Sequence, residues 1–124
     1  MVNQILLHPQ EIEVFYILPT IRKYLSQAMK KKGLTQKRIA VLLCIRESTV
    51  SQYLNEKRAT QVTFSPKIQQ KVAEAAGHIT NRASLVYETQ RLLELVRKEN
   101  VLCQLHKKLT NLPETCTLNK MGCK

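Results

Sequence analysis

Leu34-Thr35-Gln36-Lys37-Arg38-Ile39-Ala40-Val41-Leu42-Leu43-Cys44-Ile45-Arg46-Glu47-Ser48-Thr49-Val50-Ser51-Gln52-Tyr53-Leu54 reads as two short helices joined at Cys44 to Arg46. Thr35 stands where its side-chain oxygen can accept a bond from a free first-turn N–H. Ile39, Ala40 and Leu43 then share one face at helical spacing. The second helix runs from about Glu47 to Leu54. Just upstream, Gly33 supplies the stop that ends a preceding helix.

Working outward, Pro9 to Tyr16 predicts a short helix with Ile12 and Phe15 on one side. Pro19 marks the start of the next, because proline is tolerated in a first turn. That helix turns Ile21, Tyr24, Leu25 and Ala28 inward and Arg22, Lys23 and Lys30 outward. Downstream, Ala59 to Phe64 is polar and β-branched and reads as a linker or wing. Ser65 and Pro66 form an N-cap and first-turn pair for a helix that buries Ile68, Val72 and Ala75 and stops at Gly77. Asn81 caps a long helix whose stripe is Leu85, Thr89, Leu92, Leu93 and Val96. Asn100 interrupts the pattern, and Val101, Leu102, Leu105 and Leu109 resume it until Pro113. With three glycines, four prolines and 44% apolar residues in 124, an all-α fold with a real core is expected.

The formal net charge is +11. Ten Lys or Arg stand against Glu47 and Glu56 between Arg22 and Arg58, so +8 of the excess falls in that stretch. A helix end accounts for Lys30, Lys31 and Lys32, since C-termini favour cations, but not for the whole surplus. Clustered positive charge of this kind matches a polyanion.

The segment Leu34 to Leu54 resembles the helix-turn-helix of the Xre and Cro/repressor family. The resemblance covers about Pro19 to Arg58. It implies that Ala40 is small because the next helix crosses over it, that Leu43 and Ile45 pin the turn, and that Val50 and Tyr53 face the core. Glu47, Ser48, Thr49, Ser51 and Gln52 then face a major groove, with base readout expected of Ser48, Thr49 and Gln52. Gln36 would meet a phosphate beside the free amides of its helix. Lys37, Arg38, Arg46, Lys57 and Arg58 complete the expected DNA-binding set. The position of Cys44 is usually glycine in this family, because its backbone often needs a positive φ. Arg46 stands where Ser or Thr usually caps. The expected architecture is thus a helix-turn-helix bundle over residues 1–60, followed over 61–124 by a long C-terminal helical dimerisation arm and metal-binding region.

Cys103 and His106 are three apart on a helical stretch and can reach one ion together. With Cys116 and Cys123 they make C-x2-H-x9-C-x6-C. Three thiolates and an imidazole suit zinc, or an iron–sulfur cluster. Buried and tail thiols without metal are the alternative. The layout is similar to that of predicted prokaryotic, mainly archaeal, helix-turn-helix regulators. These open with a segment like Leu18-Pro19-Thr20-Ile21-Arg22 and end with one like Leu102-Cys103-x-x-His106 and Pro113-Glu114-x-Cys116. Their further cysteine after Cys116 is Asn119 here.

The expected function is sequence-specific binding of double-stranded DNA by a transcriptional regulator, with the C-terminal Cys/His set as a metal or redox sensor. One such motif reads few base pairs, so a homodimer on a palindromic operator is expected, with Leu85, Leu92, Leu93 and Val96 as its seam. The alternative is an antitoxin-like module that binds DNA and a protein partner. Neither a phosphate-binding glycine loop nor a nucleophile with a base is present, so no enzyme is expected. No signal peptide or membrane span is legible, and the cytoplasm is the expected location.

Overall fold

The computed structural model describes residues 8–60, 62–99 and 101. Five helical runs make up the regular structure of these residues, and one apolar core extends from Ile12 to Val96. The first run joins α1 (Pro9–Ile12), a π-helical turn (Glu13–Ile17) and α2 (Leu18–Lys31) without a break. Pro19 therefore lies inside a continuous helix instead of starting one. Proline has no N–H to donate, and its ring crowds the carbonyl four residues back. The widened turn makes room: the Leu18 N–H bonds the Glu13 carbonyl five residues behind, and the Thr20 hydroxyl donates to the Tyr16 carbonyl at 2.7 Å. The same turn resets the helical phase. Ile12 is buried while Phe15, expected on its side, is 60% exposed.

Helix α2 is the centre of the fold and packs on α3 (Gln36–Leu43), α4 (Glu47–Leu54), α5 (Pro66–Ala76) and α6 (Arg82–Lys98). Neighbours on several sides bury more of α2 than one apolar stripe would. Thr20, Lys23 and Ser26 are buried along with Ile21, Leu25 and Met29, so Lys23 is not on an outer face. The segment between α4 and α5 also differs from a surface linker. Val62 and Phe64 alternate inward, Phe64 is 1% exposed, and its ring stacks on Tyr24 with centroids 5.1 Å apart. The polar neighbours of these two side chains masked them in the sequence.

The caps follow local chemistry. Thr35 accepts the Arg38 N–H at 3.1 Å, Ser65 accepts the Ile68 N–H at 3.4 Å, and Asn81 and Ser84 form a reciprocal capping box. On α6, Leu92, Leu93 and Val96 are buried in the chain's own core. They are therefore committed within one chain and do not form a free seam. The end of α6 is tied to the π turn by two Arg97–Glu13 hydrogen bonds, of 2.6 and 3.0 Å, which also raise the Arg97 pKa. The helix expected from Val101 to Leu109 lies outside the described residues beyond Val101.

Among the described residues, three other than glycine have left-handed backbone: Cys44 with φ 57°, Glu56 with φ 57° and Ala59 with φ 59°. Cys44 ends α3 and keeps the turn that glycine usually makes, closed by the Ile45 N–H on the Ala40 carbonyl at 3.1 Å. The loop after α4 is held by Lys23, which is 6% exposed. Its ammonium sits 2.8 Å from Glu56 Oε1 and donates to the Ala59 carbonyl at 3.4 Å, while Gln27 Nε2 donates to Glu56 Oε2 at 2.9 Å. The hydrogen bond from Lys23 is the main reason the Glu56 carboxyl is held below its ordinary pKa of 4.5.

Two measurements check these local readings. Left-handed geometry costs a Cβ-bearing residue about 1–2 kcal/mol, and glycine gives back about 0.5–1 through its freer unfolded chain. Cys44→Gly should therefore raise unfolding stability by roughly 0.5–1 kcal/mol in urea melts, whereas Cys44→Ala should not. For Glu56, a depressed folded pKa adds stability above the ordinary carboxylate range that is lost as pH falls through the folded value. The stability gap between wild type and Glu56→Gln should be constant near neutrality and close on acidification below 4.5. A gap that persists in acid would mean the charge is not what stabilises the loop.

Candidate nucleic-acid interface

Val50 and Tyr53 are buried and leave α4 one outward face. Arg46, Glu47, Ser48 and Gln52 are exposed there, with Thr49 and Ser51 half-buried beside them. The helix is short, and its inner side chains lock it against rolling, so the polar face is presented in one orientation. Glu47 is acidic and lies in the first turn of α4, where the helix dipole favours it. Arg46 caps without a side-chain bond, which leaves its guanidinium unconstrained by the cap.

Helix α3 supplies the second part of the surface. Gln36, at its first turn, is half-buried, and Lys37 and Arg38 are exposed. Ala40 and Leu43 are buried, and Ile45 packs against the core, as the crossing of two helices requires. Thr35 takes up the Arg38 N–H. A phosphate at this terminus would meet the amides next to it, together with Gln36 and Lys37.

The third part is the loop after α4. Lys57 and Arg58 are exposed, and the Lys57 N–H bonds the Gln52 carbonyl at 2.9 Å. Arg58 turns back over α4, its Nη1 donating to Thr49 Oγ1 and to Gln52 Oε1, each at 3.3 Å. The eleven residues singled out in the sequence thus lie on α3, α4, the turn between them and the loop that follows. Sequence reasoning missed the supports behind them, Lys23 and Gln27. A lysine in register with Thr20 and Ser26 on a largely apolar helix was the one available signal.

The metal set falls elsewhere. Cys103, His106, Cys116 and Cys123 lie outside the described residues. Among the described residues no group of three or more His, Cys, Asp or Glu could hold a metal ion, and Cys44 is a free, exposed thiol. His8 and His78 are exposed. No helix of the described residues is long and apolar enough to cross a membrane.

No curated protein and no solved structure matches the chain. Its residues 25–68 match the sequence profile of the Helix-turn-helix family. The matched span begins within α2, contains α3, α4 and the clamped loop, and ends in the first turn of α5. The profile and the geometry agree, and the chain carries a helix-turn-helix domain at residues 25–68.

Proposed function

We propose that this protein is a sequence-specific, double-stranded-DNA-binding transcriptional regulator. One observation carries the reading: α4 is locked by buried Val50 and Tyr53, and every large side chain it turns outward is polar. A helix of that kind, flanked by Lys37, Arg38 and Lys57, suits a major groove and its two phosphate walls. The helix-turn-helix profile supports the same reading. Residues 1–60 would carry the DNA-facing half, and 61–124 would brace it and hold further contacts.

A homodimer on a palindromic operator goes with this proposal, because one domain covers too few base pairs to compete with bulk DNA. Val86 and Tyr87, large exposed side chains of α6, would offer such a contact an apolar surface. The C-terminal Cys/His set is proposed as a metal site, zinc or iron–sulfur, on its ligand spacing and layout.

Fluorescence anisotropy over a salt series tests the main proposal. Affinity for duplex DNA should fall log-linearly with salt. Lys37→Ala and Arg38→Ala should each flatten the slope by roughly one unit and weaken all sequences alike. Absence of duplex binding at moderate salt would overturn the proposal and favour a protein-interaction module. For the metal site, elemental analysis of anaerobically purified protein should find metal that Cys116→Ser and Cys123→Ser remove. Unchanged metal in both variants would exclude these two ligands.

A further inference from the structure

Arg58 sits where it changes what the recognition face can read. Its Nη1 bridges Thr49 Oγ1 and Gln52 Oε1, so both hydrogens of that nitrogen point into the protein's own surface. The Nη2 and Nε hydrogens of Arg58 are left for a ligand. So are the amide hydrogens of Gln52, because its carbonyl end faces Arg58. Thr49 accepts from Arg58, which leaves its own hydroxyl hydrogen to donate. The three side chains together offer donors side by side, with the Thr49 and Gln52 acceptors taken up by Arg58.

The arrangement is built into the backbone. Arg58 lies between Glu56 and Ala59, both left-handed, and Lys23 grips the first by its carboxylate and the second by its carbonyl. The loop therefore holds the guanidinium over Thr49 and Gln52, across the middle of α4.

Base edges in the major groove differ in how they meet a row of donors. Guanine offers two adjacent acceptors, N7 and O6. Adenine sets a donor beside its acceptor, thymine a methyl, and cytosine offers a donor. A glutamine alone would pair with adenine through both ends of its amide, but here the acceptor end is engaged. Resting on the DNA-binding reading above, we propose that Arg58 is a specificity-determining residue that, with Gln52, selects guanine in the operator.

Selection of randomised duplex DNA by the full chain, followed by sequencing, tests this. The wild-type motif should contain a guanine whose preference drops roughly tenfold or more in Arg58→Ala. At that position Arg58→Ala should gain adenine, through the freed Gln52 amide, and the double variant with Gln52→Ala should lose preference altogether. Arg58→Lys should keep guanine in part, since lysine also donates to that edge. Arg58 is exposed, and circular dichroism of each variant should match wild type. Equal weakening on all sequences with an unchanged motif would make Arg58 a phosphate contact and overturn the proposal while leaving DNA binding intact. An Arg58-dependent position that is not guanine would also overturn it. Failure of the wild type to bind any duplex would overturn the underlying reading and this one with it.

Discussion

A buried ammonium group joins the central helix α2 to the loop that leaves the far end of α4. Lys23 comes from α2, is nearly out of water, and meets the Glu56 carboxylate and the Ala59 carbonyl across the loop after α4. A buried charge is tolerable only when paired and hydrogen-bonded, and leaving it unpaired would cost several kcal/mol. The loop therefore has one favoured shape, and two residues accept left-handed backbone to keep it. What the loop carries outward, Lys57 and Arg58, inherits that order. Burial of Val50 and Tyr53 against the same core fixes the helix itself. The outward face of α4 and the loop cations Lys57 and Arg58 are thus placed by contacts with α2 and the core behind it.

The pair α3 and α4 was legible because its constraints are local. Thr35, Gly33, Ala40, Val50 and Tyr53 each answer a demand set within a few residues, whether a cap, a stop, a close crossing or a buried face. Cys44 shows the same logic under strain. Its φ of 57° satisfies the turn at the cost of a Cβ in left-handed space. The helix caps at Ser65 and Asn81 belong to the same class of signal.

What escaped the sequence depended on distant partners or on phase. Lys23 looks solvent-facing by charge, and only the approach of residues 56 to 59 makes burial sensible. Phe64 is surrounded in sequence by polar and β-branched residues, yet it stacks on Tyr24, forty positions earlier. Phe15 fails the spacing rule because it lies within the π turn that follows Ile12. The α6 stripe was periodic as read, but periodicity names a buried face and not its partner. Leu92, Leu93 and Val96 turned out to serve the chain's own core. Nothing in the sequence marks that Arg58, six residues on, donates to the side-chain oxygen of Gln52.

On the proposed function α4, braced from behind by α2, is the surface that meets DNA. Amide chemical shifts followed by NMR during titration with duplex DNA test it most directly. The largest changes should fall at residues 36–38, 46–52 and 57–58, with α5 and the C-terminal half of α6 little affected. Changes centred on α5 or α6, with α4 unmoved, would contradict it.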